Sequence, residues 1–255
     1  MAKSPTRDHL RPPAHRVDRR TISSLELARV LEAHRVYLAE EGSGGARADL
    51  RSTDLAGANL AEADLRKARM HRAVLSGADL TRANLRHAAL IGADLRRARL
   101  RNAELSSVRL SGGILAEADL AGARLANADL EFALFMGANL AGARLRRADL
   151  SGANLDTSDL RGADLRAANL RGASLRGARL DRADLREARL GGAFLIGASI
   201  RNADLRGAYL RIAKLDGADL SGADLTGAEG VTAEQIDTAR RDDRTRLPQS
   251  HAPRR

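Results

Sequence analysis

From Leu50 to Leu225 every fifth residue is large and apolar. Of these 36 positions 33 are Leu, and the others are Met70, Phe135 and Ile200. Two residues earlier stands a small residue, Ala in 32 cases and otherwise Thr53, Val108, Gly113 or Ser158. The unit therefore reads A-[D/N]-L-x-x, as in GADLTRANL. A five-residue period excludes the common elements. On an α-helix it advances the chain by about 500°, so successive Leu drift by about 140° and no apolar face forms. On a straight strand an odd period sends each Leu to the opposite face. A short extended segment followed by a corner satisfies the pattern: the small residue and the Leu point inward together, and the corner turns the chain before the next pair.

The other positions agree with corners. The residue before each Leu is Asp or Asn in 19 of 36 units, types whose side chains bond nearby backbone in turns. Two residues after Leu, Gly appears in 17 of 36 units, where a tight corner needs backbone freedom. Small and large inward residues can interdigitate inside a narrow tube. Each buried Leu contributes roughly 1.5–3 kcal/mol against the ordering entropy of the rod.

The run from Leu50 to Leu225 resembles the pentapeptide-repeat family and covers about 70% of the chain. The resemblance implies an all-β solenoid, a right-handed quadrilateral β-helix whose four sides make coils of about 20 residues. The 36 units then form about nine coils, a rod of about 40 Å at the inter-strand spacing. The motif is specific for fold and nearly silent on function.

An open solenoid exposes two sheet-like edges, so capping helices are expected at both ends. Residues 22–41 read as an amphipathic helix with Leu27, Leu31, His34 and Leu38 on one face, Ser23 or Ser24 as N-cap, and Gly42, Gly44 and Gly45 ending it. The stretch LEAHRVYLAEEGSGGARADL resembles a helical lead-in that precedes the repeats in many bacterial members, and GVTAEQIDTARRDDRTRLP resembles their terminal segment. There Thr232 and Gln235 form a capping box, Ile236 and Ala239 cover the last coil, and Pro248 stops regular structure. The expected organisation is a disordered basic tail over 1–20, a capping helix within 21–45, the solenoid over 46–230, a C-terminal capping helix and stop over 231–248, and a disordered tail over 249–255.

Composition adds limits. The core must be aliphatic, because the chain is 44% hydrophobic but only 2% aromatic. Cysteine is absent, which removes disulfides and thiolate chemistry and suits a reducing compartment. With no apolar leader and no membrane-length run, a soluble, cytoplasmic protein is expected. The net charge of +10 raises anionic partners. Residues 46–230 carry 29 Lys/Arg against 23 Asp/Glu, mixed in sign and interleaved. There is no phosphate loop, zinc helix motif or nucleophile elbow. His34 reads as a packed or hydrogen-bonded helix residue, and His71 and His87 as solvated corner residues. Asp recurs because turns need it. No catalytic residue, metal ligand or cofactor is assigned, and the chain is not expected to be an enzyme.

Residues 20 apart stack one above another. Arg66, Arg86, Arg146, Arg166, Arg186 and Arg206 share one register, interrupted by Ser106 and Ala126, with Asp164, Asp184, Asp204 and Asp224 two residues away. This is either a charge-compensated surface or a binding strip for an acidic partner. Another side carries Val74, Ile114, Leu134 and Phe194, with Met136 and Ile196 two residues along and Phe132 at the adjoining corner. Clustered outward apolar residues can mark an interface with a protein partner or a second copy of the chain. The leading expectation is a non-enzymatic, rod-shaped scaffold for protein binding. The resemblance also raises a DNA mimic that binds DNA gyrase, which the net positive solenoid disfavours, since mimicry needs an anionic stripe. Weak nucleic-acid binding through the Arg column ranks below both, as the chain has only five aromatic residues to stack on bases.

Overall fold

The computed structural model describes residues 20–248. Their frame is a regular ladder in which the residue before each inward Leu pairs, in parallel, with the residue 20 positions on, from Asp49↔Arg69 to Tyr209↔Glu229. Five-residue units that stack every 20 residues place four sides in each coil. The expected 36 inward units are present, and the Leu and Ala positions form one continuous buried core along the rod.

The backbone accounting of one unit explains the motif. Asp164 N–H donates to Ala143 O in the coil below (2.9 Å), while Leu165 N–H donates to Asp184 O above (2.8 Å). At the corner, Ala167 N–H reaches Arg186 O at 2.9 Å and Ala168 N–H closes the turn on Leu165 O at 3.0 Å. One N–H remains, that of Arg166, and the Asp164 carboxylate accepts it at 3.2 Å. Asp or Asn before the Leu thus satisfies the one donor the ladder leaves over. The corner residue, two past the Leu, has positive φ in every unit, 62–69° where it is Gly and 53–60° where it is not. With an ordinary φ before it, this is the signature of a type II turn. The two polar exceptions inside the tube are satisfied locally: Ser158 Oγ donates to Leu155 O at 2.7 Å, and Thr53 Oγ1 to Arg51 O at 3.3 Å.

The first coil is covered by helix α1, Ser24–Ala39, whose N-cap Ser23 accepts from Glu26 N–H at 3.1 Å. Leu27, Val30 and Leu31 pack on the core, whereas Leu38, expected on the same face, does not join it. His34, one helical turn before Leu38, is completely buried. It accepts from Ala48 N–H at Nδ1 (3.1 Å) and donates from Nε2 to Arg66 O (3.0 Å), which fixes a neutral ring. Before the helix, strand β1 (Arg20–Thr21) pairs in parallel with β2 (Thr53–Asp54). Arg20 therefore does not belong to a disordered tail: its N–H donates to Ser52 O at 3.1 Å, supplying part of the edge that the first coil lacks. The rest of that tail, 1–19, and the segment 249–255 lie outside the described residues.

At the other end, helix α2 is a single turn, Ala233–Asp237, with the Thr232/Gln235 capping box in place. Ile236 is buried against the core. Arg240 and Arg246 then bridge to Asp219 and Asp224, so the segment after the helix runs along the last coil as an irregular further layer. A short helix alone could not meet that edge's donors and acceptors.

Candidate functional site

The Arg column begins at the corners. An Arg that directly follows the inward Leu sits two residues past the Asp position, so its guanidinium folds back onto that carboxylate. Arg166, Arg186 and Arg206 bind Asp164, Asp184 and Asp204 at 2.7, 2.7 and 2.6 Å. Arg166 and Arg186 also reach the next Asp up, at 3.5 Å each, which joins the pairs into a zipper along the rod. The arginine beside Asp164 holds its carboxyl below the usual range, and that beside Asp204 does the same. Arg66 is held by Asp64 at 2.7 Å. Arg86 and Arg146 follow Asn84 and Arg144 instead and make no ion pair among the described residues. The register is thus largely neutralised: only Arg86 and Arg146 lack a close carboxylate among the described residues, and Arg146 still acts on Asp164 at longer range.

The apolar side divides into parts. Val74 is only 6% exposed, flanked in the ladder by Asp54 and Asp94, and offers no surface. Ile114 and Leu134 are bridged neighbours in successive coils, with Met136 exposed beside them. Phe132 projects furthest: it is 66% exposed at a corner with φ 56°. Its ring lies over Gly152 in the next coil, where a Cβ would stand 2.5 Å from it. Phe194 and Ile196 lie three coils further on, roughly 14 Å away at the coil spacing. Between them Asn154 and Ser174 hold the ladder, and Asp156 accepts from Ser174 and Arg176. Arg176 also covers Phe194, its guanidinium carbon 4.5 Å from the ring centroid. The structure brings Ile114, Phe132, Leu134 and Met136 together and sets Phe194 and Ile196 apart behind a polar belt.

The histidines of the repeat differ. His87 is an exposed corner residue at φ 56°. His71 is not a solvated corner: its ring is half-buried and its Nδ1 has no hydrogen-bond partner among the described residues. Burial lowers its pKa, helped by Arg109 and Arg51. It lines a cleft with Arg20, Arg51, Arg69 and Arg72. A second basic cleft, which sequence reasoning missed, lies near the C-terminal end between Arg171, Arg189 and Arg211. Its signal was an absence, Gly191 between Arg171 and Arg211 in one column. Among the described residues no cluster of three or more His, Asp or Glu side chains is arranged to hold a metal ion, and no helix is long and apolar enough to cross a membrane.

The family model for pentapeptide repeats matches the chain in eight copies, in segments running from 46–82 to 203–229. The chain belongs to the pentapeptide-repeat family. Its solenoid is accordingly the right-handed quadrilateral β-helix of that family. Among solved structures it is similar to HetL, a pentapeptide-repeat protein involved in heterocyst differentiation regulation in the cyanobacterium Nostoc sp. strain PCC 7120. Identity is 32% over 86% of this chain and 94% of that one, with a TM-score of 0.50. Rfr23 from the cyanobacterium Cyanothece 51142 is 28% identical over 44% of this chain and 88% of its own (TM-score 0.40). Full-length QnrB1, a plasmid-mediated fluoroquinolone resistance protein, is 18% identical over 81% of this chain and 95% of its own (TM-score 0.37). No curated protein matches the chain.

Proposed function

We propose that this pentapeptide-repeat protein is a non-enzymatic scaffold that docks a protein partner on the side carrying Ile114, Phe132, Leu134 and Met136. The observation that carries the reading is Phe132, a large aromatic side chain two-thirds exposed at a corner with φ 56°. A left-handed corner disfavours such a residue, and its neighbours Leu134 and Met136 are exposed with it. Aromatic and Met side chains are the types enriched in protein interfaces. A phosphate-like stripe for a DNA mimic is not supported, because the Asp164–Asp204 column is bonded to arginines.

The test is a triple variant, Phe132→Asn, Leu134→Ser and Met136→Ser. Asn stands at the equivalent corners 102, 127 and 202, and Ser at the ladder positions 174 and 199, so the coil accepts these types. Affinity capture and sedimentation should lose a specific partner, or self-association, with this variant and keep it with Phe194→Ser/Ile196→Ser. Unchanged profiles for the triple variant would reject this side as the interface.

A further inference from the structure

The cleft near the C-terminal end is built by a gap in the repeat. Residues 171, 191 and 211 directly follow the inward Leu in three successive coils, and Gly191 leaves an opening between Arg171 and Arg211. Alongside, Arg189 and Tyr209 are ladder neighbours. The Tyr209 ring lies over the opening, 3.3–3.4 Å from where a Gly191 Cβ would stand. The resulting space is about 570 Å³ and is lined by Arg171, Arg189, Gly191, Tyr209, Arg211 and Ile212. This size suits a small-molecule ligand, for which sites of about 300–1,000 Å³ are usual.

Its electrostatics differ from the rest of the rod. Arg166 is clamped because Asp164 precedes it by two residues, but Arg171 follows Asn169 and Arg211 follows Tyr209. Their guanidinium groups are left without a carboxylate, no acidic side chain lines the cleft, and its three arginines make no ion pair among the described residues. At the rim, Ile212 is 69% exposed with φ 54°. A β-branched residue is a genuine outlier at positive φ, and the fold does not need an apolar side chain there. Strain of this kind points from structure to a binding role.

We propose that this cleft binds a nucleoside diphosphate. Arg171 and Arg211, two coils and so roughly 9–10 Å apart along the rod, flank the diphosphate with Arg189, since guanidinium forks match phosphate oxygens. The base lies against the Tyr209 ring and the Ile212 side chain. The site is separate from the proposed protein-docking cluster, so either can fail alone.

The experiment is calorimetric titration of the full chain with ADP, pyrophosphate and adenosine at about 0.15 M salt, where weak surface attraction is screened. ADP should bind at least about tenfold more tightly than either fragment. Arg171→Ser/Arg211→Ser should weaken ADP by about tenfold or more, the loss expected for charge-assisted hydrogen bonds. Ser already occupies this column at 111 and 151, so the pair should fold, which a thermal melt checks. Tyr209→Ser should remove the preference for ADP over pyrophosphate, and Gly191→Arg should block binding by filling the gap. The control is Arg69→Ser/Arg72→Ser in the other basic cleft, which should change nothing. Absence of saturable ADP binding up to millimolar concentration, equal affinity for ADP and pyrophosphate, or an equal loss from the control pair would overturn the proposal.

Discussion

Gly162→Ala isolates the cost of turning a corner in the left-handed region. Gly162 has φ 64°, and a Cβ built there meets nothing within 4 Å, so the substitution adds strain without a clash. An L-residue in that region is disfavoured by about 1–2 kcal/mol, because Cβ crowds the following carbonyl oxygen. The same methyl group restricts the unfolded chain, which offsets about 0.4–1 kcal/mol of that loss. The expected net destabilisation is about 0.5–1 kcal/mol. Ala167 provides the reverse experiment, since it turns the next corner at φ 54°. Ala167→Gly should stabilise by a similar amount, and the double variant should lie close to the parent.

Equilibrium urea denaturation followed by circular dichroism gives the comparison. Hydrogen exchange at the Leu165 amide should accompany it, because a solenoid can unfold by parts and a global midpoint alone can mislead. Leu165 N–H is held by Asp184 O in the coil above, so its protection reports the contact between the coil that carries both corners and the coil above it. Gly162→Ala at or above parental stability, together with Ala167→Gly at or below it, would refute the left-handed assignment.

Two further outcomes follow from the core and the cap. Leu165→Asp should unfold at least the adjoining coils, seen as lost amide protection there, because an unpaired carboxylate in this tube costs on the order of several kcal/mol; retained protection would contradict the inward assignment. Burial lowers the pKa of His34 against the opposing pulls of Arg66 O and Asp64. The unfolded ring titrates near about 6.5, so the docking of α1 is strongest above that pH and weakens as pH falls towards the lower folded value. The protection factors of the α1 amides, which are exchange rates corrected for the intrinsic effect of pH, should therefore fall on acidification. His71, also lowered, titrates in both backgrounds, so the change specific to His34 is what His34→Gln abolishes.

The fold was legible because its signal is long. An inward pair every five residues admits extended segments and corners only, and the Asp/Asn and Gly preferences identify the turn chemistry from the sequence alone. The side assignments were also legible, since positions 20 apart do stack. What the sequence hid was reach and pairing. Val74 and Leu134 occupy the same side, yet Val74 sits between Asp54 and Asp94 and is buried, whereas Leu134 has Ile114 below it and is exposed. The Arg register reads as one strip, but whether each guanidinium is clamped at close range depends on the residue two positions earlier, Asp for Arg166 and Arg144 for Arg146. Arg20 was misplaced because the two residues that pair with the first coil carry no repeat signal.

In a scaffold this uniform, information about function lies where the repeat is costly to write. All 36 corners need positive φ, and 17 of them use Gly at little steric cost. The other 19 accept strain, and most do so with polar residues such as Asn102, Ser107 and Glu117 that remain in water. Only two of these corners carry a large apolar side chain, Phe132 and Ile212. Neither is buried, so neither recovers its strain through the core; they are the two most exposed large apolar residues in the described structure. Phe132 borders the apolar cluster with Leu134 and Met136, and Ile212 borders the arginine cleft with Tyr209. Drift on a tolerant surface has no reason to place the two worst-suited corner residues beside the apolar cluster and the arginine cleft. Contact with a ligand or partner does supply one, because the free energy recovered on binding offsets the strain that folding leaves in place.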